Sequence, residues 1–250
     1  MTNITFLSMN AIVKEDEPVP GSVDLIKRLV RQGRPFLILA DDCSRSNTRM
    51  AEKLYEQGFP LLSAELFYTC LDAAVDILKH TYKAQNRIYV LANRTVKERI
   101  ALEPFVTDSE LYDWVLIGPD KKSGLPEYNQ ALHALQQGAR IIVLNDAWTA
   151  GANETEIGCR AVAAMLEGAS GKKALSLGYS STMLIKAALS HYRYAAKDVL
   201  FVSDRLDTEI ASAQTAGLET MYLLPGPDTD LSNTAIHPTY IVDSLIGILR

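Results

Sequence analysis

The sequence predicts an α/β fold built on a mostly parallel sheet, with a smaller α/β domain inserted into a larger one. Short apolar runs alternate with amphipathic helical stretches along the whole chain, a pattern typical of right-handed βαβ units. Apolar residues make up 48% of the 250 residues, which is enough for a buried core. The alternation restarts near residue 83, and the segment 83–172 is long enough to form a separate unit.

The first part of the chain begins with a buried strand that ends at a polar loop, Ser8–Ala11. The predicted elements are, in order, a strand over 4–7, a helix over 23–31, a strand over 35–39, a helix over about 47–57 and a helix over about 64–79. Gly33 and Gly58 follow the first two helices, where glycine commonly ends a helix.

The inserted segment repeats this order with a strand over 87–91, a helix over 96–102, a strand over 114–117, a helix over 128–137, a strand over 140–144 and a helix over 158–167. After residue 173 the first type of pattern returns, with a strand over 174–177, a helix over 182–192, strands over 199–202, 221–224 and 240–242, and a short terminal helix after Asp243. A further helix opens on Thr208, and Gly217 ends it.

Carboxylates collect just after the strand predicted over 199–202. Asp204 follows the strand directly, and Asp207 and Glu209 lie in the next turn. Open α/β sheets hold their ligands at the carboxyl ends of their strands. Carboxylates this close repel one another unless a cation or a basic group lies among them, and such oxygen-rich sites suit Mg²⁺. The alternative is a solvated acidic turn in which Asp204 or Asp207 caps the helix.

Charge and cysteine content argue against several classes of protein. The net charge is −5, without a block of like charges, so nucleic acid and acidic membrane surfaces are not expected as partners. No segment reaches the roughly 18 apolar residues of a membrane span. The three cysteines, Cys43, Cys70 and Cys159, have no CxxC spacing, which favours a reducing compartment over structural zinc. We therefore expect a cytoplasmic protein.

Two stretches carry a recognisable pattern. The segment SDRLDTEIASAQTAGLET is similar to a motif written GDRxxTDIxxAxxAGxxT, and VPGSVDLIKRLVRQGRPFLILADDCSRSN is similar to a PGA…TNNSSRS segment. These motifs resemble those of the haloacid dehalogenase (HAD) phosphatases and, more narrowly, of the NagD-type subfamily. The resemblance covers the whole chain. It implies a Rossmannoid three-layer core domain, 1–82 and 173–250, that carries an α/β cap domain, 83–172.

The resemblance also implies a set of catalytic positions. In the family, an aspartate attacks phosphorus, a second aspartate acts as acid/base, and a hydroxyl and a lysine bind the phosphoryl group. The motifs place Ser8 at the nucleophile and Asn10 at the acid/base. They place Ala40 at the phosphate-binding hydroxyl and Tyr179 at the lysine. All four positions are therefore substituted.

These substitutions remove the family's chemistry in four places. Serine lacks the anionic oxygen of aspartate, and an amide does not exchange a proton at neutral pH. In other covalent enzymes, loss of the nucleophile alone costs about a million-fold in turnover. The sequence therefore predicts a pseudo-phosphatase that keeps a ligand crevice between core and cap. The alternative is an active Mg²⁺-dependent phosphatase of small phosphorylated metabolites, such as sugar or nucleotide phosphates, with an altered site.

The remaining candidate residues are implied for binding. They are Asp41, Asp42, Arg45 and Asp146 for a small-molecule ligand, and Asp204, Glu209 and Asp207 for Mg²⁺, whose binding the substitutions weaken or abolish. Asp41 and Asp42 replace neutral amides and would repel a phosphate. The alternatives are that the five carboxylates other than Asp146 are solvated or bonded to Arg45 and Arg205, and that Asp146 caps a turn. NagD-type proteins often pair through the cap, so the resemblance also implies a homodimer.

Overall fold

The computed structural model describes residues 4–82, 84–150, 154–226, 231 and 234–247. The chain forms two compact units: the first comprises 1–40, 46–68 and 188–250, and the second comprises 41–45 and 69–187. Each unit has its own parallel sheet. This organisation confirms the predicted α/β fold class.

The described strands are β1 (Ile4–Ser8), β2 (Val13–Lys14), β3 (Glu17–Pro18), β4 (Phe36–Ala40), β5 (Phe67–Thr69), β6 (Ile88–Leu91), β7 (Trp114–Ile117), β8 (Arg140–Val143), β9 (Thr149–Ala150), β10 (Glu156–Ile157), β11 (Ala174–Ser176), β12 (Val199–Ser203), β13 (Glu219–Leu223) and β14 (Tyr240–Val242). The α-helices are α1 (Met9–Ile12), α2 (Ser22–Gln32), α3 (Asn47–Glu56), α4 (Cys70–His80), α5 (Arg94–Ala101), α6 (Leu125–Gln136), α7 (Cys159–Ser170), α8 (Met183–Tyr192) and α9 (Ala211–Thr215). Short 3₁₀ turns cover Ala64–Leu66, Ala196–Asp198 and Leu245–Gly247, and a π-helical turn covers Leu206–Ile210.

The first unit is organised around a six-stranded sheet in the order β14-β13-β12-β1-β4-β5. The central strand β1 pairs in parallel with both β12 and β4, and Ser8 lies opposite Leu39. All five residues of β4 are buried, as expected for a strand covered on both faces. The ends of β1, β4 and β12, at Ser8, Ala40 and Ser203, therefore lie on the same edge of the sheet.

Apolar side chains from α2 and α3 pack against this sheet. The cluster includes Leu7, Ile38 and Val202 from the strands, Leu25, Ile26 and Leu29 from α2, and Met50, Ala51 and Leu54 from α3. The left-handed backbone of Gly33, at φ 60°, ends α2 as its position predicted. Gly217, at φ 87°, likewise follows α9.

The second unit has three layers around the sheet β11-β8-β7-β6. Alternate residues of its strands point to opposite faces. Leu116 and Ile142 pack in the cluster that contains apolar residues of α4 and α5, whereas Val115 and Ile141 pack with residues of α6 and α7. Helices therefore cover both faces, as expected of a parallel sheet.

Three expectations from the sequence need correction. The strand after residue 173 does not return to the first sheet, because β11 pairs in parallel with β8. The helix predicted over 64–79 is a 3₁₀ turn, the short strand β5 and the helix α4. Thr69 interrupts it, since its side chain and that of Asp72 form a capping box at the start of α4. The helix predicted from Thr208 begins two residues earlier, as the π-helical turn.

The predicted division at residues 82/83 and 172/173 is not tested by these pairings, and the domain boundaries stay a prediction. The compact second unit nevertheless includes 69–82 and 173–187, since α4 and β11 pack with the smaller sheet. The end of the predicted terminal helix, 248–250, lies outside the described residues, and within them Ser244 rather than Asp243 caps the last turn. No described helix has the length and apolar character needed to cross a membrane.

Candidate active site

The site of the first unit begins at the end of β1. Ser8 is fully buried, and its hydroxyl accepts a hydrogen bond from the backbone N–H of Asn10 at 3.2 Å. The residues that follow Ser8 form the helical turn α1 rather than the loop that the sequence predicted. The Ser8 hydroxyl therefore caps this turn, and α1 fixes the position of Asn10.

A buried carboxylate lies beside Asn10. Glu209 is 1% exposed, and its Oε1 accepts a hydrogen bond from Asn10 Nδ2 at 2.8 Å. Its Oε2 accepts from the hydroxyl of Ser203, the last residue of β12, at 2.7 Å. Arg205 Nε lies 3.9 Å from Glu209 Oε1. Two donors and one cation thus compensate a carboxylate that would be costly to bury alone.

Asp204 has a different partner. Its side chain is 10% exposed, and Oδ2 forms an ion pair with Lys14 Nζ at 3.1 Å. Its other oxygen, Oδ1, is buried and has no hydrogen-bond partner within the described residues. Lys14 lies on β2, in a hairpin with β3 whose two turn residues, Glu15 and Asp16, have φ values of 51° and 66°. These left-handed values suit the tight two-residue turn that connects such strands.

The three predicted metal ligands have different surroundings. Asp207 is exposed, whereas Asp204 and Glu209 are each bonded to other groups of the chain. Burial raises the pKa of Tyr222, and the nearby carboxylates of Asp204 and Asp207 raise that pKa further. No group of three His, Cys, Asp or Glu side chains within the described residues could hold a metal ion. Mg²⁺ binding therefore stays a prediction.

The second unit contains the predicted residues Asp42 and Arg45. Asp42 accepts hydrogen bonds from the backbone N–H and the hydroxyl of Ser44, at 2.8 and 3.0 Å, so it stabilises its own turn. The backbone carbonyl of Asp41 accepts a hydrogen bond from the thiol of Cys70 at 3.1 Å. Asp42 and Arg45 are exposed and line one cavity of about 710 Å³.

This cavity carries several cations that sequence reasoning did not single out. They are Arg94, Lys121 and Lys122, which line it together with Asn93 and Asn145. Arg94 pairs with Glu98 at 2.6 Å, and Lys121 pairs with Glu156 at 2.7 Å. Arg45 and Lys122 form no ion pair within the described part of the chain, so their charges remain available to an anion. The one signal in the sequence was Asn93, which lies two residues after the apolar strand β6. Its side chain caps α5.

Asp146 supports a turn within the second unit. Its Oδ1 accepts from the Ser176 hydroxyl at 2.6 Å, and its Oδ2 accepts from the backbone N–H of Ser180 at 2.8 Å. This turn contains Tyr179, which is buried. A Cβ atom on Gly178 would lie 2.2 Å from Asp146 Oδ2, so this approach requires glycine. The alternative was that Asp146 caps the turn directly after it. In the structure the cap of that turn is Asn145, whose Oδ1 accepts a hydrogen bond from the Ala147 N–H at 3.2 Å.

The three cysteines are free and buried. Burial raises the pKa of Cys70, and the neighbouring Cys43 raises it further. Burial also raises the pKa of Cys159. Because a thiol with a raised pKa is a poor source of thiolate, none of these observations indicates a cysteine nucleophile.

Two family models match the chain. Residues 11–103 match the haloacid dehalogenase-like hydrolase family, and residues 176–248 match a second HAD hydrolase-like family. The chain is 25% identical over 240 residues to the ribonucleotide monophosphatase NagD of Escherichia coli. The alignment covers 95% of this chain and 94% of that protein. The structure matches that of E. coli NagD with a TM-score of 0.91, at 23% identity and 99% coverage of both chains. This chain belongs to the HAD superfamily, NagD type.

Two further relatives carry phosphatase names. The dihydroxyacetone phosphatase of Corynebacterium glutamicum is 22% identical, over 98% of this chain and 90% of that protein. The 5'-nucleotidase YutF of Bacillus subtilis is 22% identical, over 92% and 90%. The predicted family and fold class are therefore confirmed, and Mg²⁺ is the general expectation for HAD phosphatases. The homodimer, the cytoplasmic location and the small-molecule partner stay predictions.

Proposed function

We propose that this protein is a pseudo-phosphatase: a HAD-family protein that binds a small phosphorylated metabolite without hydrolysing it through an aspartyl-phosphate. One observation carries the proposal. The amide of Asn10 donates a hydrogen bond to Glu209 at 2.8 Å, so the residue at the acid/base position is neutral and is held by an internal partner.

The nucleophile position supports the same proposal. Ser8 is buried and neutral, and its oxygen already accepts the Asn10 N–H. A serine hydroxyl attacks phosphorus only when a base removes its proton. Within the described residues the group bonded to the Ser8 hydroxyl is the backbone N–H of Asn10, which is a donor and not a base. The nearby carboxylate of Glu209 is bonded to Asn10 and Ser203 rather than to Ser8. The two groups that the family uses for covalent chemistry are therefore structural in this chain.

The cavity of the second unit supports ligand binding. Its volume of about 710 Å³ lies within the range of small-molecule sites, roughly 300 to 1,000 Å³. Arg45 and Lys122 supply charges for an anion, and arginine suits the two-oxygen geometry of a phosphate. Asn93 and Asn145 add neutral polar groups of the kind that recognise sugar hydroxyls.

A second candidate is an active Mg²⁺-dependent phosphatase of sugar or nucleotide phosphates with an altered site. The named relatives favour it, since they are phosphatases that align with more than nine-tenths of the chain. The comparisons support this candidate better than the pseudo-phosphatase. The substituted residues at Ser8, Asn10 and Tyr179 support the pseudo-phosphatase.

Hydrolysis of p-nitrophenyl phosphate with Mg²⁺ distinguishes the two candidates. We expect no turnover by the native protein, and a gain of activity in a variant that combines Ser8→Asp, Asn10→Asp and Tyr179→Lys with Lys14→Met, which frees Asp204 from its ion pair. Adding Asp204→Ala to this variant controls for contaminating phosphatases, because it should abolish the gain. Native turnover that Asp204→Ala removes would instead establish the second candidate.

Ligand binding is tested separately, by calorimetric titration with ribose 5-phosphate. We expect Arg45→Met to weaken binding by about tenfold, because it removes a charge-assisted hydrogen bond. Arg49→Met is a matched control: Arg49 lies on α3 and pairs with Glu52 and Glu56 outside the cavity. Equal affinity in both variants would refute the role of the cavity.

A further inference from the structure

We infer that Lys14 is a built-in counter-ion that takes the place of a divalent cation beside Asp204, so that the first unit does not require Mg²⁺. This inference concerns metal binding and does not depend on whether the protein hydrolyses phosphate esters. It follows from the donor set around the two buried carboxylates.

The charge next to Asp204 is already supplied by the chain. Lys14 Nζ lies 3.1 Å from Asp204 Oδ2, within the range of a charge-assisted hydrogen bond or close ion pair. A cation of the solvent that approached Asp204 would meet the ammonium of Lys14 and be repelled. A protein cation this close to a carboxylate weakens the binding of Mg²⁺ to that carboxylate, because like charges repel each other.

Lys14 is held in place by its hairpin. The register Lys14–Glu17 fixes its backbone between β2 and β3. The turn at the tip is anchored to α3, where Lys53 pairs with the carboxylate of Asp16 and Gln57 donates to the backbone carbonyl of Asp16. The Lys14 side chain itself is 61% exposed, so its ammonium keeps part of its hydration while it neutralises the nearly buried partner.

The second carboxylate is also unsuited to a metal. Glu209 accepts hydrogen bonds at both oxygens, from Asn10 and from Ser203. A metal ion at Glu209 Oε1 would compete for that oxygen with the Asn10 amide, whose NH₂ group cannot serve as a ligand. The residues present therefore do not fit a Mg²⁺ ion shared by Asp204 and Glu209. One feature of such a site survives, the buried Oδ1 of Asp204, which has no partner within the described residues.

The test is Mg²⁺ binding by isothermal calorimetry, with thermal unfolding in EDTA and in MgCl₂. For the native protein we expect no saturable heat and the same Tm in both buffers. Removing Lys14 with Lys14→Met should make Mg²⁺ binding at least about tenfold tighter, the Coulomb effect of a unit charge on a divalent ion about 5 Å away in water. The Asn10→Asp, Lys14→Met double variant should bind more tightly still and gain Tm in MgCl₂, because it adds a third carboxylate.

Lys79→Met is the matched control. Lys79 pairs at 2.8 Å with Glu103, whose side chain is 12% exposed, close to the 10% of Asp204. This variant should not gain Mg²⁺ binding. Lys14→Gln, which loses the charge but keeps a donor, replaces Lys14→Met if that variant does not fold.

Saturable Mg²⁺ binding by the native protein, as tight as in Lys14→Met, would overturn the inference, and so would a Lys14→Met variant that binds no better than Lys79→Met. The hydrolysis assay gives an independent answer. Native protein that binds Mg²⁺ but is inactive would refute this inference alone, whereas metal-free turnover of p-nitrophenyl phosphate would refute only the proposed function.

Discussion

Replacing Asn10 with alanine should destabilise the protein, although the residue stands at a catalytic position of its family. The substitution leaves Glu209 Oε1 without the amide that donates to it at 2.8 Å. Glu209 is 1% exposed, so water replaces that donor poorly. Hydrogen bonds to charged groups contribute about 1.5–3 kcal/mol, and we take about 2 kcal/mol for this one. In a chain of this length, that loss lowers Tm by about 4–8 °C.

Differential scanning calorimetry of Asn10→Ala measures this loss, with Asn86→Ala as the control. Asn86 donates to the Pro104 carbonyl at 3.4 Å, a long and exposed bond, so its loss should cost less than about 0.5 kcal/mol. The reasoning predicts a large effect because Asn10 is structural. In a working catalytic site, polar groups are commonly held at a cost in stability, and their removal is neutral or stabilising.

A double-mutant cycle with Glu209→Gln tests the assignment of the effect to this pair. Glutamine keeps the size of the side chain but removes its charge, so the Asn10→Ala substitution should cost about 1 kcal/mol less in that background. A Tm for Asn10→Ala within 1 °C of the native value would refute the reasoning, as would a coupling energy of zero. Either result would mean that water already solvates Glu209 Oε1.

Two further substitutions test the packing and the electrostatics of the second unit. Gly178→Ala should lower the free energy of unfolding in urea by about 1–3 kcal/mol, because its Cβ would lie 2.2 Å from Asp146 Oδ2. The control is Gly168→Ala within α7, which should be neutral or stabilising because no atom lies within 4 Å of its Cβ. Equal effects of the two substitutions would contradict the contact. The Arg87 guanidinium holds the pKa of Asp113 below its usual value, so this pair stabilises the fold above the unfolded pKa near 4 and the contribution is lost as pH falls through the folded pKa. Arg87→Met should therefore lower the free energy of unfolding at pH 7 and flatten its decline between pH 5 and pH 2; parallel pH curves for the two proteins would contradict the shift.

Periodicity predicted most elements of this fold and failed where local and tertiary signals compete. Leu66, Leu71, Val75 and Leu78 have helical spacing, which hid the strand β5. The capping box at Thr69 was visible in the sequence, as a threonine followed three residues later by an aspartate, and it marks the true start of α4. The membership of β11 in the smaller sheet has no such signal, because a buried parallel strand has the same apolar pattern in either sheet.

The candidate site was predictable in its location but not in its bonding. The ends of β1 and β12 were expected on one edge of a sheet, and parallel pairing of these strands brings Asn10 to Glu209. The ion pair of Lys14 with Asp204 joins residues 190 positions apart and depends on a two-residue hairpin turn without glycine. Side-chain partners of this kind are set by distances of a few ångströms, which neither composition nor spacing determines.

The substitutions at the site form one electrostatic unit rather than independent losses. An aspartate at position 10 would place its charge against Glu209 Oε1, and the pair would then need a cation to offset their repulsion. Asparagine at the same position donates a hydrogen bond instead, and no cation is required there. Lys14 performs the corresponding role for Asp204 by supplying a positive charge. The two buried carboxylates, Asp204 and Glu209, thus each have a compensating partner. Asn10→Asp alone should therefore leave a carboxylate pair, and its Tm should be lower than that of the native protein and that of the Asn10→Asp, Lys14→Met variant in MgCl₂.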